Sequence, residues 1–503
     1  MSFPETRWNM RLLTPLIFAL FCFSAVTAAE GEPLTLKQAI VAVLATHPQL
    51  RISGVDRAIA ATARQKSEGM LDPLLSGSLK ASQEQVTPSS TFLPNKTTAG
   101  LLSATIAKPL ASGDSVSVNL NYNRNDTQYG SPLISQLYNP SYNSQLNFSV
   151  RHPLFKGNGG TSYKESLAAA DAGVEKSREQ QRVEAHNLAL QALNLFYQLL
   201  FDDVNIDIAK EAVARAKRLI RYQRLREQFG LTEKSDRLQA EALLATQQTN
   251  LQKARGQRLV DQSKLNRLMQ QPADRSLTIV HQLPDLGVLP DVVQALQLAK
   301  RARPELKMLD AQMKSAEAQL RMARDEDQLQ LDLVAELGSR KLAGNASRAA
   351  AGAFAFNDRY AALSLEFSDP LGRNSVRSAI RKAELSKQRV AATRLSTLEQ
   401  IRDDLAAAMV AIKSGRPTLR EAQRLVVAER KKFREELERY SQGRSDTATL
   451  VRFEGDLQNA IQSAKLQEFT IELAEMQLLW AEAQLMPKLG IDAASLVSAE
   501  DAP

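Results

Sequence analysis

The side chains that most often carry out chemistry occur in this chain without the company they need. The four histidines, His47, His152, His186 and His281, are scattered, with no metal-ligand spacing. The one cysteine, Cys22, lies in an apolar N-terminal stretch, so the body of the chain has neither a thiol nucleophile nor a disulfide. No Gly-x-Ser-x-Gly elbow occurs. Gly157-Asn158-Gly159-Gly160 lacks the Lys-Ser/Thr ending of a phosphate loop and reads as a flexible joint between strand and helix. The carboxylate pairs Asp202-Asp203 and Asp403-Asp404 fall in helical stretches, where solvation is the expected role. These patterns point away from an enzyme and from any resident metal or cofactor. The function has to be sought in what the elements build.

Residues 1–29 read as an export signal: Arg7 and Arg11 form a basic start, Leu12 to Val26 is apolar, and Thr27-Ala28-Ala29 offers small residues for cleavage. No later segment is a candidate membrane helix. Net charge is +8, but the basic residues interleave with acids along helices, and an exported chain rarely meets nucleic acid. Nucleic-acid binding is therefore not expected. Aromatic residues make up only 5% of the chain, a usage that suits long packed helices with a narrow seam rather than a thick core.

The chain repeats itself. Gln38-Ala39, Pro48 and Leu50 recur 256 positions later as Gln294-Ala295, Pro304 and Leu306. Each opening leads into strands that end in Pro-Leu and then into a very long helical hairpin. The spacing predicts helices over 163–228 and 374–440, with return helices from Glu233 to Met269 and from near Thr447. A helix from Tyr163 to Gln228 spans roughly 100 Å at about 1.5 Å per residue. Leu398, Ile401, Leu405, Ala408 and Ile412 form a heptad-like seam, and Gly415 and Pro417 are expected to kink the helix beyond it. Val116, Val118, Leu120 and Tyr122 alternate with Ser and Asn, as Leu146, Phe148 and Val150 do with Gln, Asn and Ser. Leu331, Leu333, Ala335 and Leu337, then Leu363, Leu365 and Phe367, repeat the pattern in the second half. From Ala99 to Val150 only Lys108, Asp114, Arg124 and Asp126 are charged. A soluble antiparallel sheet would alternate in the same way, but charge depletion in a charge-rich chain favours strands between lipid and a wet lumen. The domains expected are a signal peptide at 1–29, repeats at 30–290 and 291–489, and a tail at 490–503. The first repeat carries an additional hairpin around Ala111-Ser112-Gly113-Asp114.

With the duplicated openings, the Pro-Leu strand ends and two helical tips, Phe229-Gly230-Leu231-Thr232-Glu233-Lys234-Ser235-Asp236 and Arg439-Tyr440-Ser441-Gln442-Gly443, the chain resembles the TolC-like outer-membrane efflux proteins. The resemblance implies a mainly α-helical homotrimer in the cell outer membrane. Four strands per protomer would form a shared 12-stranded β-barrel, continued into the periplasm by a long α-helical barrel, with the additional hairpin expected as an extension outside the wall; were it to enter the wall, six strands per protomer would give a wider barrel. It further implies a passive exit duct, for efflux or type I secretion, coupled to an inner-membrane transporter through a periplasmic adaptor.

Site residues carry over by matching positions. An aspartate after the first tip latches to a tyrosine and an arginine at the second, and Asp236 and Tyr440 match. Arg444 falls one residue early, the arginine's own place being taken by Ser445. Asp236 also suits the first turn of a helix with no latch at all. Thr449 and Arg452 stand where some members carry entrance aspartates, so weak or absent cation selectivity is expected. Glu454 and Asp456 are expected to face elsewhere. Gly230, Leu231, Thr232 and Gly443 fit the adaptor-docking tips, and glycines there also fit plain turn geometry. The competing readings are a surface-exposed coiled-coil structural or adhesive protein and a periplasmic enzyme.

Overall fold

A computed structural model describes residues 33–90, 92–131, 133–134, 136–230, 233–281 and 290–492. The first half runs α1 (Leu36–Thr46), α2 (Pro48–Glu68), β1 (Leu74–Gln85), β2 (Pro94–Pro109), β3 (Ser115–Tyr129), β4 (Ser141–Pro153), α3 (Thr161–Gln228) and α4 (Lys234–Leu268). The second runs α5 (Val292–Ala302), α6 (Pro304–Asp325), β5 (Gln330–Ala343), α7 (Ala346–Phe354), β6 (Arg359–Ser368), α8 (Asn374–Ser441), α9 (Thr447–Ala481) and the short α10 (Leu485–Lys488). The expected signal peptide lies outside the described residues. Of the tail at 490–503 only 490–492 are described, and Ile491 packs into the core.

The duplicated openings fold alike because each places proline at the first turn of a helix, where its missing N–H costs nothing. His47 and Arg303, the residues before those prolines, are both extended, with ψ of 126° and 121°. The long helices α3 and α8 are each 68 residues, about 100 Å at 1.5 Å per residue. The seam read from the sequence is the packed face of α8: Ile401, Leu405 and Ile412 are at most 2% exposed, against Ala474 and Leu478 of α9. Pro417, where a kink is expected, lies inside α8. The helix continues through it to Ser441. A Cβ at Gly415 would lie 2.7 Å from a side-chain carbon of Ile471, so α9 closes on α8 at that level and supports it.

The six strands form one antiparallel sheet in the order β1-β2-β3-β4-β5-β6, to which both halves contribute. This corrects the placement of the additional hairpin: β1 and β2 are ordinary members of the sheet, not an appendage to it. Their register explains why. Leu79 faces Leu102, which faces Tyr122, and Leu75 faces Ile106, which faces Val118. The apolar alternation of β3 thus runs unbroken across the hairpin, and beyond it Phe148 faces Leu337. The other face carries Ser78, Ser103, Thr105, Ser117, Asn119 and Asn121, cross-linked by side-chain bonds such as Thr105 to Asn119 at 2.7 Å. The apolar side chains are left bare, with Leu79 83%, Leu363 72% and Phe367 77% exposed. The helix α7 rests on this face, against β4 and β5, where Ser144 and Ser339 are buried. No described helix is long and apolar enough to cross a membrane.

Candidate functional site: the hairpin ends and the central arginine

The ends of the two helical hairpins meet far from the sheet. Gly230 and Gly443 follow α3 and α8 with φ of +66° and +72°, a left-handed geometry that ends a helix at little cost for glycine. Asp446 then caps α9, its carboxylate accepting the Thr449 amide at 2.7 Å and the Thr449 hydroxyl at 3.0 Å.

Tyr440, 3% exposed, is the hub of this joint. The buried Gln223 near the end of α3 donates from its amide nitrogen to the Tyr440 hydroxyl and, at 2.7 Å, to the Thr447 hydroxyl. Tyr440 and Thr447 lie 3.0 Å apart. Arg226, one turn further along α3, donates to the Tyr440 carbonyl at 3.3 Å. Its guanidinium also stands 5.5 Å from the Tyr440 ring and 5.6 Å from the Tyr222 ring. Burial pushes the Tyr440 phenol up, and the charge of Asp236 adds to the push while Thr447 and Arg226 oppose it.

The structure therefore brings Asp236 and Tyr440 into one neighbourhood. Arg444 is exposed. Among the described residues, Arg226 is a cation that reaches Tyr440. Neither Arg226 nor Gln223 is conspicuous in the sequence. Their one signal is that Tyr222, Gln223 and Arg226 share a helix face at spacings of three and four, which becomes meaningful only once the opposing element is known. Gly230 and Gly443 are at the two turns, while Leu231 and Thr232 lie outside the described residues.

At the entrance positions Thr449 is occupied with its cap. Arg452 is exposed, its guanidinium 5.3 Å from the Phe453 ring. Glu454 turns the opposite way: it is 3% exposed and accepts from Arg215 of α3 at 2.6 Å. Burial raises its carboxyl, and Arg215 works against that rise. Asp456 pairs with Lys432 at 2.9 Å. Between the hairpins, sheetward of the Tyr440 clip, a cavity of about 310 Å³ is lined by Leu219, Tyr222, Leu243, Phe433 and Leu450. Arg215 and Glu454, paired at 2.6 Å, line the same cavity, so the hairpins are tied across it as well as at the clip.

A second polar centre lies where the short and long helices cross. Arg303 is 2% exposed. It donates to the Ala481 carbonyl at 2.8 Å, to His186 at 3.1 Å, to Glu305 at 3.1 Å and to Asp404 at 3.0 Å. It also lies 4.2 Å from the Trp480 ring, and Trp480 stacks on His186 at 4.6 Å. A guanidinium can only donate, so the facing His186 nitrogen must accept, which requires a neutral imidazole. Burial and the Arg303 charge push His186 down to about 3. The matching residue of the first repeat, His47, has no such partners, so the duplication is not symmetric in its chemistry. Among the described residues no group of three His, Cys, Asp or Glu could hold a metal ion.

Residues 115–270 match the sequence profile of the outer membrane efflux protein family. No curated protein matches the chain by sequence. Solved structures with the same fold include the Campylobacter jejuni CmeC outer membrane channel, at 14% identity and TM-score 0.62, covering 92% of this chain and 89% of the channel. The Vibrio cholerae outer membrane protein VceC matches at 15% identity and TM-score 0.61, over 90% of this chain and 96% of its own. CusC matches at 14% identity and TM-score 0.65, over 89% and 91%. The outer membrane efflux protein profile thus lies within the first half of the chain, while the fold shared with these outer membrane channels extends over almost its whole length.

Proposed function

We propose that three copies of this chain form a passive exit duct, the outer-membrane component of a tripartite efflux or type I secretion system. The observation that carries this reading is the sheet: six strands, apolar on one face and polar on the other, with both edges, β1 and β6, unpaired. Lipid does not tolerate open strand edges, and closure with further copies removes them. The same chains' 68-residue helices would then line a periplasmic tube. A coiled-coil adhesin has no use for such a sheet. Energy would come from an inner-membrane transporter reached through a periplasmic adaptor, docking at Gly230, Leu231, Thr232 and Gly443. Residues 1–29 would serve as the export signal, and 30–290 and 291–489 as the two repeats around the tube.

The clip at Tyr440 gives the duct a resting state. Gln223 and Arg226 tie the end of one hairpin to the other, with Asp236 beside them and Arg444 free to reach a neighbouring copy. Purified protein in planar bilayers is expected to form ion-conducting channels, and covalent cross-linking to stop at three chains. Folded, membrane-inserted protein that never conducts would sink the duct reading. A periplasmic adaptor should co-purify from membranes, and should be lost when Gly443 and Gly230 are replaced by bulky residues.

A further inference from the structure

The resemblance implies four strands from each protomer, but this chain supplies six. We infer that the hairpin β1–β2 is part of the barrel wall, so that three copies close an 18-stranded outlet that admits bulky hydrophilic polymers. This rests on the trimeric duct proposed above and concerns its width.

Three independent features of the hairpin carry the inference. The first is length: β1 has 12 residues and β2 has 16, against 10 to 15 in the other four strands. A tilted membrane strand needs about 9–11. A decorative hairpin at a rim would not need to span the bilayer twice. The second is patterning: Leu75, Leu79, Leu102 and Ile106 are 45% to 83% exposed and lie on the same face as Val116 and Phe148. That is a lipid-facing stripe continued without a change of phase. The third is anchorage. The turn joining β2 to β3 sits against the joint between β4 and α3, so closely that a Cβ at Gly113 would lie 2.2 Å from the Gly157 carbonyl oxygen. Asp114 in that turn pairs with His152 of β4 at 2.5 Å. The hairpin is tied to the base of the barrel at the point where strands become helices.

With β2 and β3 fully paired on both sides, the edges left for a second copy are β1 and β6. Barrel diameter grows roughly linearly with strand number, so 18 strands give an outlet about 1.5 times as wide as 12. Barrels of about 16–18 strands enclose an aqueous channel. Its wall would be hydrophilic, lined by Ser78, Ser103, Asn119 and Asn121 among others, with charges of both signs on the same face, such as Lys80, Arg151, Glu336 and Arg340, so that no single sign dominates.

The absence of other cysteines makes the test clean once Cys22→Ser removes the one present. Ser78→Cys in β1 is combined in turn with Tyr360→Cys, Ala362→Cys and Ser364→Cys in β6, and disulfide formation in outer membranes is read on gels. One of these pairs is expected to give covalent trimers, and Asn119→Cys in β3 with the same partners none. Trimers from the Asn119 pairs instead would mean that β6 meets β3 and the hairpin lies outside the wall, which overturns the inference while leaving the duct intact. Chains that cross-link in neither arrangement and run as monomers would defeat the trimeric reading itself. Width is read separately, with Asn119→Cys labelled from the cell surface by polyethylene-glycol maleimides of increasing size. Deleting residues 74–114, which joins Pro73 to the start of β3, is expected to lower the size limit. A deletion variant that inserts and keeps the full limit would also overturn the inference.

Discussion

Arg226→Ala should open the duct. In the structure Arg226 donates to the Tyr440 carbonyl at 3.3 Å and lies within 5.6 Å of two aromatic ring centres. A hydrogen bond from a charged donor contributes about 1.5–3 kcal/mol, and the bond here is at the long end. A partly exposed cation–π contact adds roughly 0.5–1 kcal/mol. About 2 kcal/mol per chain is a fair sum, since the contacts share one side chain. If three copies open together, about 6 kcal/mol is lost from the closed state, roughly the 5.5 kcal/mol that moves an equilibrium from 99:1 to 1:99. The assay is single-channel recording in planar bilayers, comparing Arg226→Ala, Arg226→Lys and Arg444→Ala. The alanine variant at 226 should be mostly open and the lysine variant intermediate, because lysine keeps the charge but not the planar fork. Trimeric Arg226→Ala channels with the parent's conductance and open probability would refute the reasoning. If only Arg444→Ala opens the channel, the latch lies between chains and not within one.

Three further outcomes follow from the same geometry. His186 binds its proton near 6.5 when unfolded and only near 3 when folded, so the unfolded state holds more protons between those values. Stability should therefore fall as pH drops from about 6.5 toward 3, by at most about 1.4 kcal/mol per pH unit. His186→Gln, which keeps an acceptor for Arg303, should flatten that slope in melting curves taken from pH 7.5 to 4.5, and parallel curves would count against it. Gly160→Ala places a Cβ 1.9 Å from the Ala111 carbonyl oxygen at φ +71° and should destabilise the base of the barrel by about 2 kcal/mol. Heat dissociation of trimers on gels would report it, with Gly173→Ala, which has open space, expected to be neutral or slightly stabilising. Arg452→Asp should shift the reversal potential in a potassium chloride gradient toward cations, and an unchanged potential would show that residue 452 does not line the conducting path.

The sequence by itself determined the elements and their order. The predicted helix over 163–228 is observed from Thr161 to Gln228, and the one over 374–440 from Asn374 to Ser441. Periodicity is a local property, and long helices ended by glycine state their ends plainly. The strands β3 to β6 were legible for the same reason. β1 was not, because Leu74–Gln85 alternates weakly and ends in Gln, Glu and Gln, so its place became evident only from its register against β2. The tertiary structure alone decided which polar residues matter. Nothing local separates Arg226 from its many basic neighbours on α3, or Arg303 from Arg301. Arg303 is singled out because α3, α8 and α9 close over it with a histidine, a carboxylate, a carbonyl and an indole, beside Glu305 of its own helix. Arg226 is singled out because Tyr440 happens to stand opposite. Which face of a long polar helix becomes a site is settled by what packs against it, and that information lies more than two hundred residues away along the chain.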